Sequence, residues 1–452
     1  MNFDRWFAAT VGMAAVIAVV FAFPSGPQGT AGGISEEVSG TDGDATESPP
    51  EPRQNSLGFA VPRGDGGSQT IPEITPSQLL ELLAPEERPI AEYLQGKGAV
   101  LGVDRPTKPA RLEVVDLSGR RIDDADLAEV RRLKAVKFLI LDDTPITDVA
   151  MAYAAAMESL EHISVNGTAV TGAGLAVLGD LPSLKGISAA GTRVTDAAMP
   201  MIAANPHLEE LTIAGTAVTD RGLTDLVAAK SLRYLDVKFT RVGDVGLDAV
   251  SAVAGLRYLN LLGTRVTDQG VAALTKLPSL EELYLPELVT DAGLVHVARL
   301  PSLRYLGIPG ARISDSGLEH LRSLVHLRGL NLAKTQVTDS GLEALAGMAD
   351  MEYLDLSGTL ITDAAVATLR VFDKLSFLNL GGTKVGDATV LELRVLRGLR
   401  NLGLEDTLVS DAGIDTIAQM DAIRVVALSR SRVTPNGAER LRLQKKDLTV
   451  VY

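Results

Sequence analysis

The chain contains no cysteine. That excludes a disulfide framework, a thiolate nucleophile, a cysteine metal site and a lipid-attachment cysteine. Aromatic residues make up only 4% of the 452 positions, with a single tryptophan. There is no basic tract: 43 Lys and Arg face 57 Asp and Glu, for a net charge of -14. This argues against a nucleic-acid partner. The five histidines, His162, His207, His296, His320 and His326, fall in no metal-ligand spacing. Neither a nucleophile elbow nor a P-loop is present. The glycines of Gly96 to Gly102 lie between an expected helix and an expected strand, the reverse of a dinucleotide fingerprint. No catalytic residue, metal or cofactor is expected, so the chain does not read as an enzyme.

Hydrophobic residues, at 46%, are ample for a core. Trp6 to Phe23 is an 18-residue run without a charge. As a helix it spans about 27 Å, close to the ~30 Å hydrocarbon core. Acidic residues dominate the flank beyond it, which places the N-terminus in the cytoplasm and the remainder outside. Residues 1–23 therefore read as an uncleaved signal anchor, with a cleaved signal peptide as the alternative. In residues 24–70, 22 of 47 positions are Gly, Pro or Ser, with seven acids and two arginines. That composition cannot offset its ordering entropy and reads as a disordered tether. Residues 71–111 regain apolar pattern. Thr75-Pro76 opens one helix, a second starts near Pro85 and runs through Ile90 and Tyr93, and Gly98 to Asp104 forms a strand. Together they make an N-terminal cap.

From Leu112 the phrase L-x-x-L-x-L-x-G-T-x-V-T-D-x-G-L-x-x-L recurs fourteen times, through Ile423. Twelve of the thirteen steps are 24 residues, and the step from Leu280 to Leu303 is 23. A fixed period over some 300 residues marks a repeat architecture. The first half alternates apolar and polar positions, a strand with one buried face. The Thr-Asp pair then supplies a helix start. Each unit thus holds one strand and one short helix. Strands stack in parallel about 4.8 Å apart. Helices are wider, so the stack bends with its sheet on the inside. Thr434-Pro435 begins a last helix, and Leu448 to Tyr452 reads as a closing strand.

These units resemble leucine-rich repeats from Leu112 to the C-terminus. They are similar to the cysteine-containing type found in F-box proteins and to membrane-tethered bacterial leucine-rich repeat proteins. The usual Asn or Cys slot holds Thr here. The resemblance implies an α/β, right-handed solenoid or horseshoe over residues 112–452, about 14 repeats of 24 residues. A parallel β-sheet would line the concave face and short helices the convex one. It also implies a scaffold that binds a protein or peptide on the concave sheet. The alternatives are a structural envelope component that binds glycan or assembles laterally, and, third, an intracellular substrate adaptor.

Three columns carry the expectations for individual residues. The threonine slot holds Thr144, Thr168, Thr192, Thr216, Thr240, Thr264, Thr335, Thr359, Thr383 and Thr407, with Ser431 last. It follows each strand where turn amides and carbonyls need partners, so a structural ladder of hydroxyls serving their own and adjacent units is expected. The position before it is mostly Gly, which favours a positive φ. Phe239, Lys334 and Arg430 fit that position poorly. On the sheet, five of the eight tyrosines occupy outward positions. Tyr234, Asp236, Tyr258, Asn260, Tyr284 and Tyr305 are the candidate partner contacts. After the threonine, Arg121, Arg193, Arg241, Arg265, Arg312, Lys384 and Arg432 form a basic column expected to pair with the nearby aspartates, or to meet an anionic partner. The unit from Leu280 is one residue short and the next unit carries Ala311 in the threonine slot, which should interrupt the ladder.

Overall fold

The structure, a computed structural model, describes residues 75–103 and 108–452. The chain divides into two units, Met1–Glu81 and Leu82–Tyr452. The expected membrane segment 6–23 and tether 24–70 lie outside the described residues. Among the described residues no helix is long and apolar enough to cross a membrane. In the first unit the Thr75 hydroxyl accepts the N–H of Gln78 at 3.3 Å. The Gln78 side chain accepts the N–H of Thr75 at 2.9 Å. This reciprocal cap starts the helix Pro76–Leu82.

The second unit is built on a sixteen-stranded open sheet whose strand order is the chain order. Its first strand, Val100–Gly102, runs antiparallel to Val114–Asp116. The fifteen strands from Val114–Asp116 to Thr449–Val451 are parallel, fourteen from the repeating units and one that closes the stack. Register follows the sequence period: Tyr258 pairs with Tyr234 on one side and Glu282 on the other. The antiparallel strand covers one edge, preceded by the helix Arg88–Gly96, which buries Ile90, Ala91 and Leu94. Glu87, 2% exposed, accepts the N–H of Leu112 at 2.8 Å and pairs with Arg111 at 3.1 Å. This carboxylate satisfies the amide of the first repeat leucine, which has no earlier parallel strand to bond.

Within a unit the core is the side of the strand facing the helix. Leu256, Leu259, Leu261, Val266, Val271, Leu274 and Leu277 are all fully buried. The helix here, Asp268–Ala273, has six residues and continues as one 3-10 turn, Leu274–Lys276. A helix this short is unstable alone. It is held by its leucines and by a link between units that the Thr-Asp motif provides. Asp244, at one helix start, accepts the N–H and the hydroxyl of Thr267, the next unit's N-cap, both at 2.8 Å. Asp291 does the same for Ser314, and Asp387 for Ser410.

The glycine that most units carry in T-D-x-G packs against that link. A Cβ on Gly270 would lie 2.4 Å from Oδ1 of Asp244, and one on Gly341 2.3 Å from Oδ1 of Asp315. The glycine leaves room for the preceding unit's carboxylate. One unit carries Gly172 in the aspartate position, and the next unit carries Ala198 in the glycine position, which Ala150, Ala365 and Thr389 fill elsewhere beside intact links from Asp124, Asp339 and Asp363. The methyl group of Ala198 fills the vacated volume, 2.9 Å from where a Cβ on Gly172 would stand.

The threonine slot works differently from the expected ladder. Each of the ten hydroxyls donates to the carbonyl three residues earlier in its own unit, as Thr144 to Leu141 at 2.5 Å and Thr264 to Leu261 at 2.6 Å. Ser431 does the same to Leu428. The expectation of bonds to adjacent units is corrected: the hydroxyl points back along its own turn. The turn's left-handed residue instead bridges units through the backbone, as Phe239 N–H to Leu262 O at 2.8 Å. Phe239, Lys334 and Arg430 all adopt positive φ, at 57°, 58° and 60°. In the short unit Val289 N–H turns back to Pro286 O within the same unit. The helix link still crosses this break, from Asp268 to Thr290 at 2.8 and 2.6 Å.

Candidate functional site

Residues two and four places after each first leucine share the sheet face opposite the leucine core. In the column two places on, Glu210, Tyr234, Tyr258, Glu282, Tyr305, Gly329, Tyr353 and Phe377 stand side by side across consecutive strands. The Tyr234 and Tyr258 rings stack, with centroids 4.0 Å apart and planes 10° from parallel. Tyr284, from the column four places on, tilts against Tyr258 at 5.6 Å. Tyr353 stacks on Phe377 at 4.5 Å. Glycines on the next strand give the rings room: a Cβ on Gly307 would meet the Tyr284 ring at 2.5 Å, and one on Gly329 the Tyr305 ring at 2.3 Å. Each ring therefore leans along the stack over its successor.

Half of the candidate contacts are enclosed by this packing. Tyr234, expected to face outward, is 7% exposed because it lies flat against Tyr258. Asp236 and Asn260 are 1% and 5% exposed. Their oxygens accept turn amides two residues on, from Lys238 at 3.0 Å and Leu262 at 3.2 Å. Asp355 and Asn379 do the same for Ser357 and Gly381. This column closes the turns, and its polar side chains belong to the fold. Tyr258, Tyr284 and Tyr305 remain partly accessible. They are the part of the expected set that the structure brings to a usable surface.

One residue of this surface was not singled out by its letter. Glu282 sits between Tyr258 and Tyr305, and among the described residues its carboxylate makes no hydrogen bond or ion pair. Burial, and then the charge of Glu281, raise its pKa to about 7. Burial likewise pushes the phenols of Tyr258 and Tyr284 upward, so both are neutral donors at physiological pH. Asp236 is also raised by burial, with Lys238 at 3.5 Å opposing the shift. The surface thus offers flat aromatic area, phenolic donors and one carboxyl that burial holds toward its protonated form.

A second aromatic pair lies nearer the start of the sheet. His162 stacks on Phe138 at 5.0 Å and leans over Gly186 toward Glu210, 3.8 Å away. Burial lowers the His162 pKa to about 4, so the ring is neutral at pH 7. The basic column behaves otherwise than expected: the aspartates it was expected to pair with hold the next unit's N-cap instead. Among the described residues Arg193, Arg241, Arg265 and Arg312 form no salt bridge. No group of histidine and carboxylate side chains suited to a metal occurs among the described residues.

The family described as Leucine Rich repeat matches residues 204–227, 228–251 and 323–346. No curated protein matches the chain. Among solved structures, an internalin from Listeria monocytogenes is similar at 19% identity and a TM-score of 0.51, covering 82% of this chain and 96% of that one. A leucine-rich repeat protein of Leptospira interrogans is similar at 15% identity and a TM-score of 0.47, covering 80% of this chain and 98% of that one. A plant peptide hormone receptor, RGFR1, solved in complex with RGF2, is similar at 11% identity and a TM-score of 0.35, covering 71% of this chain and 63% of that one. With its period, its strand-and-helix unit and three units matched by the family model, the chain carries leucine-rich repeats and has the leucine-rich-repeat fold.

Proposed function

We propose that this protein is a non-catalytic scaffold that holds a protein or peptide partner on the sheet face around Tyr258, Glu282, Tyr284 and Tyr305. The observation that carries the reading is the position of Glu282: a carboxylate with no partner among the described residues, set between tyrosine rings. The fold gains nothing from an acid there, since burial works against its charge. Tyrosines with a neutral phenol give large rigid contact area at small entropic cost. A lysine or arginine of a partner would complete the site, by pairing with Glu282 and lying against a ring. The same reading places the solenoid outside the cytoplasmic membrane, carried by residues 6–23 and the linker 24–70.

The experiment is a combined Tyr258→Ala, Tyr284→Ala and Tyr305→Ala variant, compared with the parent by proximity labelling in native membranes. Loss of specific partners with an unchanged far-UV spectrum supports the reading. An unchanged partner set in the folded variant contradicts it. Recovery of the intact chain in soluble cytosol contradicts the placement outside the membrane.

A further inference from the structure

The column after the threonine slot runs along the edge where each strand turns toward its helix. Its fourteen positions hold seven Lys or Arg and no Asp or Glu, in a chain with 57 acids and 43 bases. Backbone bonds pin this edge in register. Arg193, Arg241 and Arg265 donate their N–H to the carbonyls of Val170, Val218 and Val242 in the preceding unit, at 3.2, 3.3 and 2.7 Å. Their side chains are exposed. Among the described residues those of Arg193, Arg241, Arg265 and Arg312 make no hydrogen bond or ion pair. Like charges are therefore held along one edge, Arg241 and Arg265 in adjacent units, without an ion pair among the described residues.

Phe239 lies on the same edge, two residues before Arg241. It adopts φ 57° at the position where eight other units place glycine. A bulky side chain in the left-handed region is strained. The ring is 66% exposed, lying over Gly263, so burial does not compensate the strain. Five units place a non-glycine residue there, and Phe239 is the one aromatic among them; a strained, exposed ring among unpaired arginines is a departure of the kind found at functional sites.

We propose that the edge from Arg193 to Arg312, centred on Phe239, is a second interaction surface that binds an extended acidic peptide segment of a partner protein. The occupant carries one apolar side chain among its carboxylates. Charge complementarity selects the acids, and arginine forks bind carboxylates in two-point geometry. Phe239 selects a peptide over a bare polyanion, which has nothing apolar to set against the ring. The surface lies on the turn edge and does not depend on the sheet-face reading above.

The test is fluorescence anisotropy on the full chain with a labelled peptide of glutamates flanking a central phenylalanine. Competitors are the same peptide with alanine in the centre, and inorganic polyphosphate. The charge-reversed variant Arg241→Glu with Arg265→Glu should raise Kd at least about tenfold. Phe239→Gly should raise Kd about fivefold and also raise the melting temperature, because glycine relieves the strained backbone. The Tyr258→Ala, Tyr284→Ala, Tyr305→Ala variant should bind this peptide as the parent does, which separates the two surfaces. No binding by the parent, or equal binding by the charge-reversed variant, overturns the proposal. Competition by polyphosphate or the alanine peptide as strong as by the phenylalanine peptide overturns the peptide assignment. A lower melting temperature in Phe239→Gly assigns the ring to the fold and overturns its role as anchor.

Discussion

Asp244 and Thr267 are 23 residues apart in the chain, yet one carboxylate takes both the amide and the hydroxyl of the other residue, each at 2.8 Å. The carboxylate also sits at its own helix N-terminus, where negative charge is favoured. Repeated in most units between Asp124 and Thr434, this relationship ties helix to helix along the convex side while the parallel sheet ties strand to strand. Asp244→Ala should therefore destabilise the protein by about 1–3 kcal/mol, leaving two donors without their partner. Urea denaturation measures it. A midpoint equal to the parent's would mean that water replaces the carboxylate at no cost.

Gly270→Ala is a sharper test of the same link. In an isolated helix alanine is better than glycine by about 1 kcal/mol. Here a Cβ would meet Oδ1 of Asp244 at 2.4 Å, so the carboxylate must shift, as the links beside Ala150 and Ala365 allow, and the substitution should gain less than that. In an Asp244→Gly background the full gain should return, recreating the pairing of Gly172 with Ala198. The two substitutions should show a coupling of about 1–3 kcal/mol in a double-mutant cycle. Additive effects would contradict the steric account of the motif.

Thr264→Val keeps the shape of the side chain and removes its donor to Leu261 O. The buried carbonyl is left short of a partner, for a loss of roughly 1 kcal/mol. Since the hydroxyl bonds only within its turn, Thr240→Val and Thr264→Val together should cost the sum of the two single changes. Strong cooperativity between them, seen in denaturation midpoints, would restore the idea of a ladder between units.

Glu282 gives stability a recognisable pH dependence. Its folded pKa of about 7 lies above the ordinary 4.5. Between those values the native state holds a proton that the unfolded chain has released. Stability therefore falls as pH rises through this window, and the loss persists above pH 7. Glu282→Gln should be more stable than the parent at pH 8, by roughly 1–2 kcal/mol, and equal to it at pH 4. A difference of the same size at both pH values would exclude titration as its cause.

Much of this fold could be read from the chain because each unit states it again. Leu256, Leu259 and Leu261 announce a strand with one buried face, and Thr267-Asp268 announces a helix start, whatever lies beside them. What could not be read depends on stacking. The role of Asp244 looks like local capping until the next unit brings Thr267 against it. Tyr234 and Tyr258 have the same place in the repeat, yet Tyr234 is the more enclosed, and only packing against the neighbouring side chains decides that. Asp236 and Asn260 look free in an outward column, but a turn amide two residues on claims each of them. Phe239 was visible as a misfit in a glycine column; its exposure was not.

The central claim, that the tyrosine-bearing sheet face is where a partner sits, is tested most directly by site-specific photocrosslinking in native membranes. A benzophenone amino acid would replace Tyr305 on the sheet in one variant and Leu391, 51% exposed on a helix, in another. The account predicts a discrete crosslinked protein from position 305 that is absent from position 391 and lost when Glu282→Gln and Tyr258→Ala are added. Crosslinks from the helix position alone, or identical products from both, would contradict it.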